Sequence, residues 1–242
     1  MLLVFLGLGA CQERAAPDTQ PRASVAGAWA SPPRITGVAA RRDSLVITGF
    51  GPPGVRVVLT AEDQAPAAIS VDGDGRFALP IPRPAAPRLY RLDLDEPTAR
   101  RAGERLFIAP DGTAAVLAPG GASRALIDAS GLTAADHDGV ELVVSGNAAP
   151  GSVISVSLDD RPARKARVDA RGRFEAALGP AAPGPRRIAL STEGGPPVVT
   201  TITLTPQGDE IPSNRVDGDG LSLWWTPSGG GVQQTWIRGQ KD

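Results

Sequence analysis

The residues best suited to chemistry in this sequence are aspartates that alternate with glycine. In VDGDGRF, Val71 to Phe77, Asp72 and Asp74 flank a glycine, which is how an oxygen cage for a hard cation can begin. VDGDGLS, Val216 to Ser222, sets Asp217 and Asp219 in the same way. VDARGRF, Val168 to Phe174, keeps Asp169 but carries Arg171 where the second carboxylate would stand. An EF-hand loop needs a third oxygen ligand further on and a bidentate glutamate at its twelfth position. After Asp74 the chain continues Gly, Arg, Phe, Ala, so the third ligand is missing. Asp and Gly at these places suit a tight hairpin turn, because Gly accepts positive φ and an Asp side chain accepts nearby backbone N–H groups. A turn is therefore expected at all three segments. Asp217 and Asp219 are the pair left that could touch a loosely held calcium.

Other reactive groups are few. Cysteine and histidine occur once each, at Cys11 and His137, which excludes an internal disulfide and a Cys/His metal centre. His137 sits in TAADHDGVEL and is expected as a solvated loop residue before a strand. No serine stands in a GxSxG context, and the glycines around Phe50 precede no helical pattern, so they carry no dinucleotide inference. The expectation is a protein that is not an enzyme, with no catalytic residue and no cofactor.

These groups must be positioned by short strands. The chain has 242 residues with 25 positive and 26 negative side chains, a balance that does not point to nucleic acid. Glycine (29) and proline (24) are spread without a period, and apolar runs are mostly four to seven residues long, which argues an all-β chain. Past residue 33 the sequence repeats. Gly49, Pro53-Gly54 and Gly75-Arg76-Phe77 recur as Gly146, Pro150-Gly151 and Gly172-Arg173-Phe174, at one spacing of 97. FIAPDG from Phe107 matches TLTPQG from Thr203 at 96, and VLAPGGA from Val116 resembles WWTPSGG from Trp224 at a larger offset. A duplicated unit of about 100 residues with strands every ten or so is the size of one β-sandwich.

The pattern strand–G–x–x–(P)PG–strand–D–x–x–G–R–F–strand resembles bacterial immunoglobulin-like (Big-type) modules of cell-envelope proteins, over about 50 residues of each copy. The resemblance implies two tandem immunoglobulin-like β-sandwich domains, 34–125 and 126–242, working as spacers, adhesion elements or docking surfaces. It names no ligand.

The first ten residues, MLLVFLGLGA, are apolar and end in small side chains, and Cys11 follows. Leu8-Gly9-Ala10-Cys11 looks like a bacterial lipobox, although no Lys or Arg precedes the apolar stretch. Residues 1–10 are thus expected to be a lipoprotein signal peptide and Cys11 a lipidated N-terminus held in the membrane by its acyl chains. Gln12 after the cysteine fits an outer-membrane lipoprotein facing the periplasm, with exposure at the surface left open. Residues 11–33 are rich in Ala, Pro, Ser and charge and read as a flexible tether.

Two surfaces are candidates for an envelope partner, either a protein or a peptidoglycan-type glycan. Arg161, Arg164, Lys165 and Arg167, followed by Arg171 and Arg173, crowd one expected hairpin and could meet an anionic polymer or an acidic partner. The C-terminal stretch carries Trp224, Trp225 and Trp236 on another. Leu221, Leu223 and Trp225 share one face of it. Trp224 points the opposite way and is expected to be the exposed aromatic, the kind that marks a protein or sugar contact.

Overall fold

A computed structural model describes residues 31–95, 103–193, 195–206 and 214–240. Cys11 and the expected tether up to residue 30 lie outside the described residues. Every described regular element is a β-strand. The first sandwich is made by β1 (Arg34–Ala40), β2 (Ser44–Phe50), β3 (Arg56–Ala61), β4 (Ala67–Ser70), β5 (Arg76–Pro82), β6 (Arg88–Leu94) and β7 (Arg105–Ile108). Two short strands, β8 (Ala114–Leu117) and β9 (Arg124–Ala125), follow. The second sandwich repeats the first as β10 (Gly131–His137), β11 (Glu141–Asn147), β12 (Val153–Leu158), β13 (Arg164–Arg167), β14 (Arg173–Pro180), β15 (Gly184–Thr192) and β16 (Val198–Leu204). A last group, β17 (Asn214–Asp217), β18 (Gly220–Trp225) and β19 (Gln233–Arg238), closes the described chain.

The duplication read from sequence is structural. Strands β1 to β5 begin at 34, 44, 56, 67 and 76, and β10 to β14 begin 97 positions later in every case. In the first sandwich, β1-β2-β5 face β4-β3-β6-β7; in the second, β10-β11-β14 face β13-β12-β15-β16. All ladders are antiparallel, in the strand order of an immunoglobulin-like sandwich. Period-two burial explains the faces. Along β5 exposed and buried residues alternate strictly, with Phe77, Leu79 and Ile81 inside, and β14 likewise buries Phe174, Ala176 and Leu178. Gly49 and Gly146 are fixed by close approach. A Cβ on Gly49 would lie 2.2 Å from the Arg34 carbonyl oxygen and 2.4 Å from Phe77, and one on Gly146 would lie 2.1 Å from the Gly131 oxygen and 2.6 Å from Phe174.

The two copies differ in what is added to them. β8 and β9 extend the β4-β3-β6-β7 sheet of the first copy, whereas β19, β18 and β17 extend the opposite sheet of the second through β10. VLAPGGA and WWTPSGG therefore do not occupy equivalent places, contrary to the sequence match. β8 pairs with β7, and β18 pairs with β17 and β19. The added strands meet face to face. Phe107, Ala109, Ala115, Leu117 and Ala125 from one side pack with Leu223, Trp225 and Ile237 from the other, forming an apolar core between the sandwiches. Residues Ser31–Asp242 accordingly form one compact unit.

Candidate functional site: a buried junction and an arginine-lined cleft

The three DxxG segments are turns. Asp72 Oδ1 accepts the N–H groups of Asp74 (3.0 Å) and Arg76 (2.7 Å), and Asp169 Oδ1 accepts those of Arg171 (2.8 Å) and Arg173 (2.9 Å). Gly75 and Gly172 both sit at φ 77°, the left-handed region that glycine enters without steric cost. These N–H donors hold the Asp169 carboxyl below the usual carboxylate range. Asp217, one of the two calcium candidates, accepts from Thr203 N and Oγ1 and from Ser222 Oγ, and Asp219 pairs with Arg238 at 3.5 Å. Their oxygens tie β17 to the second sandwich and to β19. Among the described residues no group of three His, Cys, Asp or Glu side chains is gathered as metal ligands would be.

His137 is not a solvated loop residue. It ends β10, is 3 % exposed, and its Nε2 lies 3.0 Å from the Ala181 carbonyl oxygen. Burial pushes its pKa below the ordinary histidine value, against the Ala181 carbonyl and the Asp138 carboxylate, which raise it. Its neighbour Asp136 is the group the sequence reading missed. Asp136 is 3 % exposed and accepts four hydrogen bonds: from Ser123 N (2.6 Å), Ser123 Oγ (2.6 Å), Thr235 Oγ1 (2.7 Å) and Gln233 Nε2 (2.9 Å). Desolvation still dominates over these donors and pushes its pKa up to about 6. The network widens from there. Gln233 also bonds the Ala118 carbonyl and the Gly120 N–H, Ser145 Oγ donates to the Ser123 carbonyl, and Trp225 Nε1 donates to Thr235 Oγ1 at 3.0 Å. One carboxylate thus joins the β8–β9 loop, β10 and β19.

The tryptophans serve this junction. Trp236 is 1 % exposed and fills the second sandwich, while Trp225 belongs to the core between the sandwiches. The guanidinium of Arg105 lies 5.5 Å from the Trp225 ring centre. Trp224 does face away from Leu223 and Trp225, as alternation requires, but that second face is covered too. Trp224 is only 9 % exposed, lies opposite Gln234, and carries the Arg215 guanidinium over its ring at 5.6 Å. The expected exposed aromatic is therefore absent at this position, because both faces of β18 are packed. The glycan contact built on Trp224 loses its aromatic platform.

The arginine face is divided as well. Arg164, Lys165 and Arg167 are exposed along β13, and Arg161 Nη1 donates to the Pro180 carbonyl at 2.6 Å. Arg171 lies instead in the turn beyond β13 and Arg173 opens β14, which belongs to the opposite sheet, so one hairpin does not carry all six. They line a cleft of about 810 Å³ together with Arg34, Glu104, Arg124 and Asp128, formed where the start of β1, β9 and the β13–β14 turn converge. Arg124 donates to the Ile35 carbonyl at 2.6 Å, and Glu104 accepts the Ile35 N–H. Burial lowers the pKa of Arg124, and Arg173, Arg171 and Arg34 lower it further by repulsion, against the attraction of Glu104. Four arginines meet Glu104 and Asp128 in the lining and Asp169, which pairs with Arg173 at 3.6 Å, so the cleft keeps a positive excess.

No family model and no curated protein matches the chain. Among solved structures it is similar to the D0-D1 domain of intimin, at 10 % identity and a TM-score of 0.26, over 72 % of this chain and 98 % of that one. The BSP domain of a biofilm associated protein matches at 18 % identity and a TM-score of 0.25, over 75 % of this chain and 30 % of that one. A calcium-stabilised adhesin with which an Antarctic bacterium binds ice matches at 11 % identity and a TM-score of 0.21, over 88 % of this chain and 75 % of that one. The immunoglobulin-like character of this chain stands on its own strand order.

Proposed function

We propose that this chain is a non-enzymatic spacer and docking subunit of a bacterial cell envelope, anchored through lipidated Cys11 at the outer membrane and facing the periplasm. In this reading residues 1–10 are the signal, 11–33 the tether, and 34–125 and 126–242 the two modules. The observation that carries the proposal is the buried Asp136 carboxylate, which accepts hydrogen bonds from Ser123 on one side and from Gln233 and Thr235 on the other. Such a junction joins two sandwiches into one stiff strut and presents their shared cleft in a fixed shape. The buried titratable neighbours Asp136 and His137 hold the scaffold together through these bonds, which supports a mechanical role over a catalytic one.

Spin labels at Arg76 and Lys165 test the strut directly. A narrow distance distribution is expected, broadening in Asp136→Ala; a broad distribution in the unaltered protein would overturn the reading. The anchor is tested apart from it. Cys11→Ser should move the protein from the membrane to the soluble fraction, and unchanged fractionation would remove the lipid from the proposal.

A further inference from the structure

The duplicated sandwiches are not equally complete. In the second, β10 pairs with β11 on one side and with β19 on the other. In the first, the corresponding strand β1 pairs among the described residues only with β2. β19 contacts Ala134, Ala135, Asp136 and His137, which correspond at the repeat spacing of 97 to Gly37, Val38, Ala39 and Ala40. Arg41 N–H donates to the Ser44 carbonyl, so residue 41 faces β2, and the alternation of an antiparallel ladder turns the backbone groups of Ala40 and Val38 to the other side. Ala39 and Ala40 are exposed and Gly37 and Val38 half-buried. An edge of this kind is a template for another strand.

The two ends of β1 are treated differently. At Ile35, side chains of Glu104 and Arg124 occupy the backbone N–H and C=O, so any added ladder stops there, as β19 stops short of Leu132. Beyond that stop the chain enters the cleft of Arg34, Arg124, Arg171 and Arg173. A strand running antiparallel to β1, as β19 runs to β10, would bring its C-terminal end to those arginines.

We propose that the β1 edge accepts an extended segment of a partner protein, pairing with Gly37–Ala40 and placing acidic residues at its C-terminal end among Arg34, Arg124, Arg171 and Arg173. The backbone ladder supplies binding along the edge, and the arginines select charge and direction. The inference rests on the docking reading above and identifies the surface that reading leaves unassigned.

The test uses the full chain carrying Cys11→Ser and a synthetic peptide of alternating Thr and Val ending in three glutamates. Hydrogen exchange read by NMR should show saturable protection of the Val38 and Ala40 amides by roughly tenfold or more. A matched peptide ending in three lysines should bind at least about tenfold more weakly, as should the glutamate peptide when salt is raised from about 0.05 to about 0.5 M. Ala40→Pro removes an outward N–H at an edge position where proline is tolerated and should abolish protection with an unchanged melting temperature. Arg34→Ala with Arg171→Ala should erase the preference for glutamate while leaving the fold intact. Failure to protect Val38 and Ala40, or equal binding of the two peptides, overturns the proposal. So does dimerisation of the peptide-free chain with those amides already protected, since the occupant would then be a second copy. None of these outcomes depends on the anchor or on the distance distribution between the sandwiches, so the two readings fail separately.

Discussion

Replacing Asp136 by asparagine separates the two contributions of the buried carboxylate, its charge and its geometry. An unfolded chain titrates this group near 3.8, whereas burial holds it at about 6 in the folded protein. Between those values the folded state carries one more proton than the unfolded state. Its contribution is therefore fully present below the unfolded pKa and is lost as pH rises through the folded one, at about 1.4 kcal/mol per pH unit and about 3 kcal/mol in all. The amide introduced by Asp136→Asn does not titrate, so the substitution removes this slope. It also turns an NH₂ group toward donors that need an acceptor, a cost of about 1–3 kcal/mol that is independent of pH. His137 works the other way: its lowered pKa makes stability fall as pH drops through its unfolded value. That effect is common to both proteins and cancels in their difference. Urea unfolding of the Ser31–Asp242 segment at several pH values from about 3.5 to about 7.5 supplies the measurement. The stability of the parent minus that of the variant should decline by about 3 kcal/mol across the range. A flat difference would refute the claim that desolvation outweighs the four hydrogen bonds.

Three further outcomes follow from the geometry. Gly146→Ala forces a Cβ against the Gly131 oxygen and the Phe174 ring and should cost more than about 2 kcal/mol by urea unfolding, with Gly49→Ala behaving alike in the first sandwich. Asp169→Ala should lower the melting temperature through the loss of its two backbone partners, Asp74→Ala should leave it nearly unchanged, and neither calcium nor a chelator should move the melting temperature by more than about a degree. Equal losses at Asp74 and Asp169, or a calcium-dependent shift, would restore the metal reading. Trp225→Ala empties the core between the sandwiches and should cost about 3–5 kcal/mol, whereas Lys165→Ala on exposed β13 should stay within about 0.5, both read by denaturant midpoint.

What could be read from the sequence was what is encoded locally. Turn chemistry at Asp72 and Asp169, and the Gly49, Pro53-Gly54 and Gly75-Arg76-Phe77 letters with their copies at Gly146, Pro150-Gly151 and Gly172-Arg173-Phe174, each involve neighbours in sequence or one adjacent strand. They recur at a single spacing, which is why the duplicated sandwich was legible. The junction was not. Asp136 meets Thr235 at a separation of 99 residues and Gln233 at 97, and no local pattern encodes such a meeting. β10 is buried on both faces, so its alternation vanishes and the polar letters of Thr133, Asp136 and His137 imitate a loop. The same double burial misled the reading of Trp224: alternation placed it on the right face but could not say that this face was covered. One signal was present, the run Gln233-Gln234-Thr235 leading straight into Trp236 and Ile237, since uncharged polar residues beside large apolar ones in a strand call for a buried partner.

The apolar surface on β7, β8 and β9 also has a consequence for biosynthesis. Its cover, Leu223, Trp225 and Ile237, is made about 100 residues after the surface itself. At about 5–20 residues per second, that leaves an interval of roughly 5–20 s in which the first sandwich can form while its far side stays sticky. A chain interrupted before β18 keeps that side open indefinitely, and it presents to chaperones and proteases a patch that the finished protein conceals. Closure of the seam therefore waits for β18 and β19, however early the first sandwich forms.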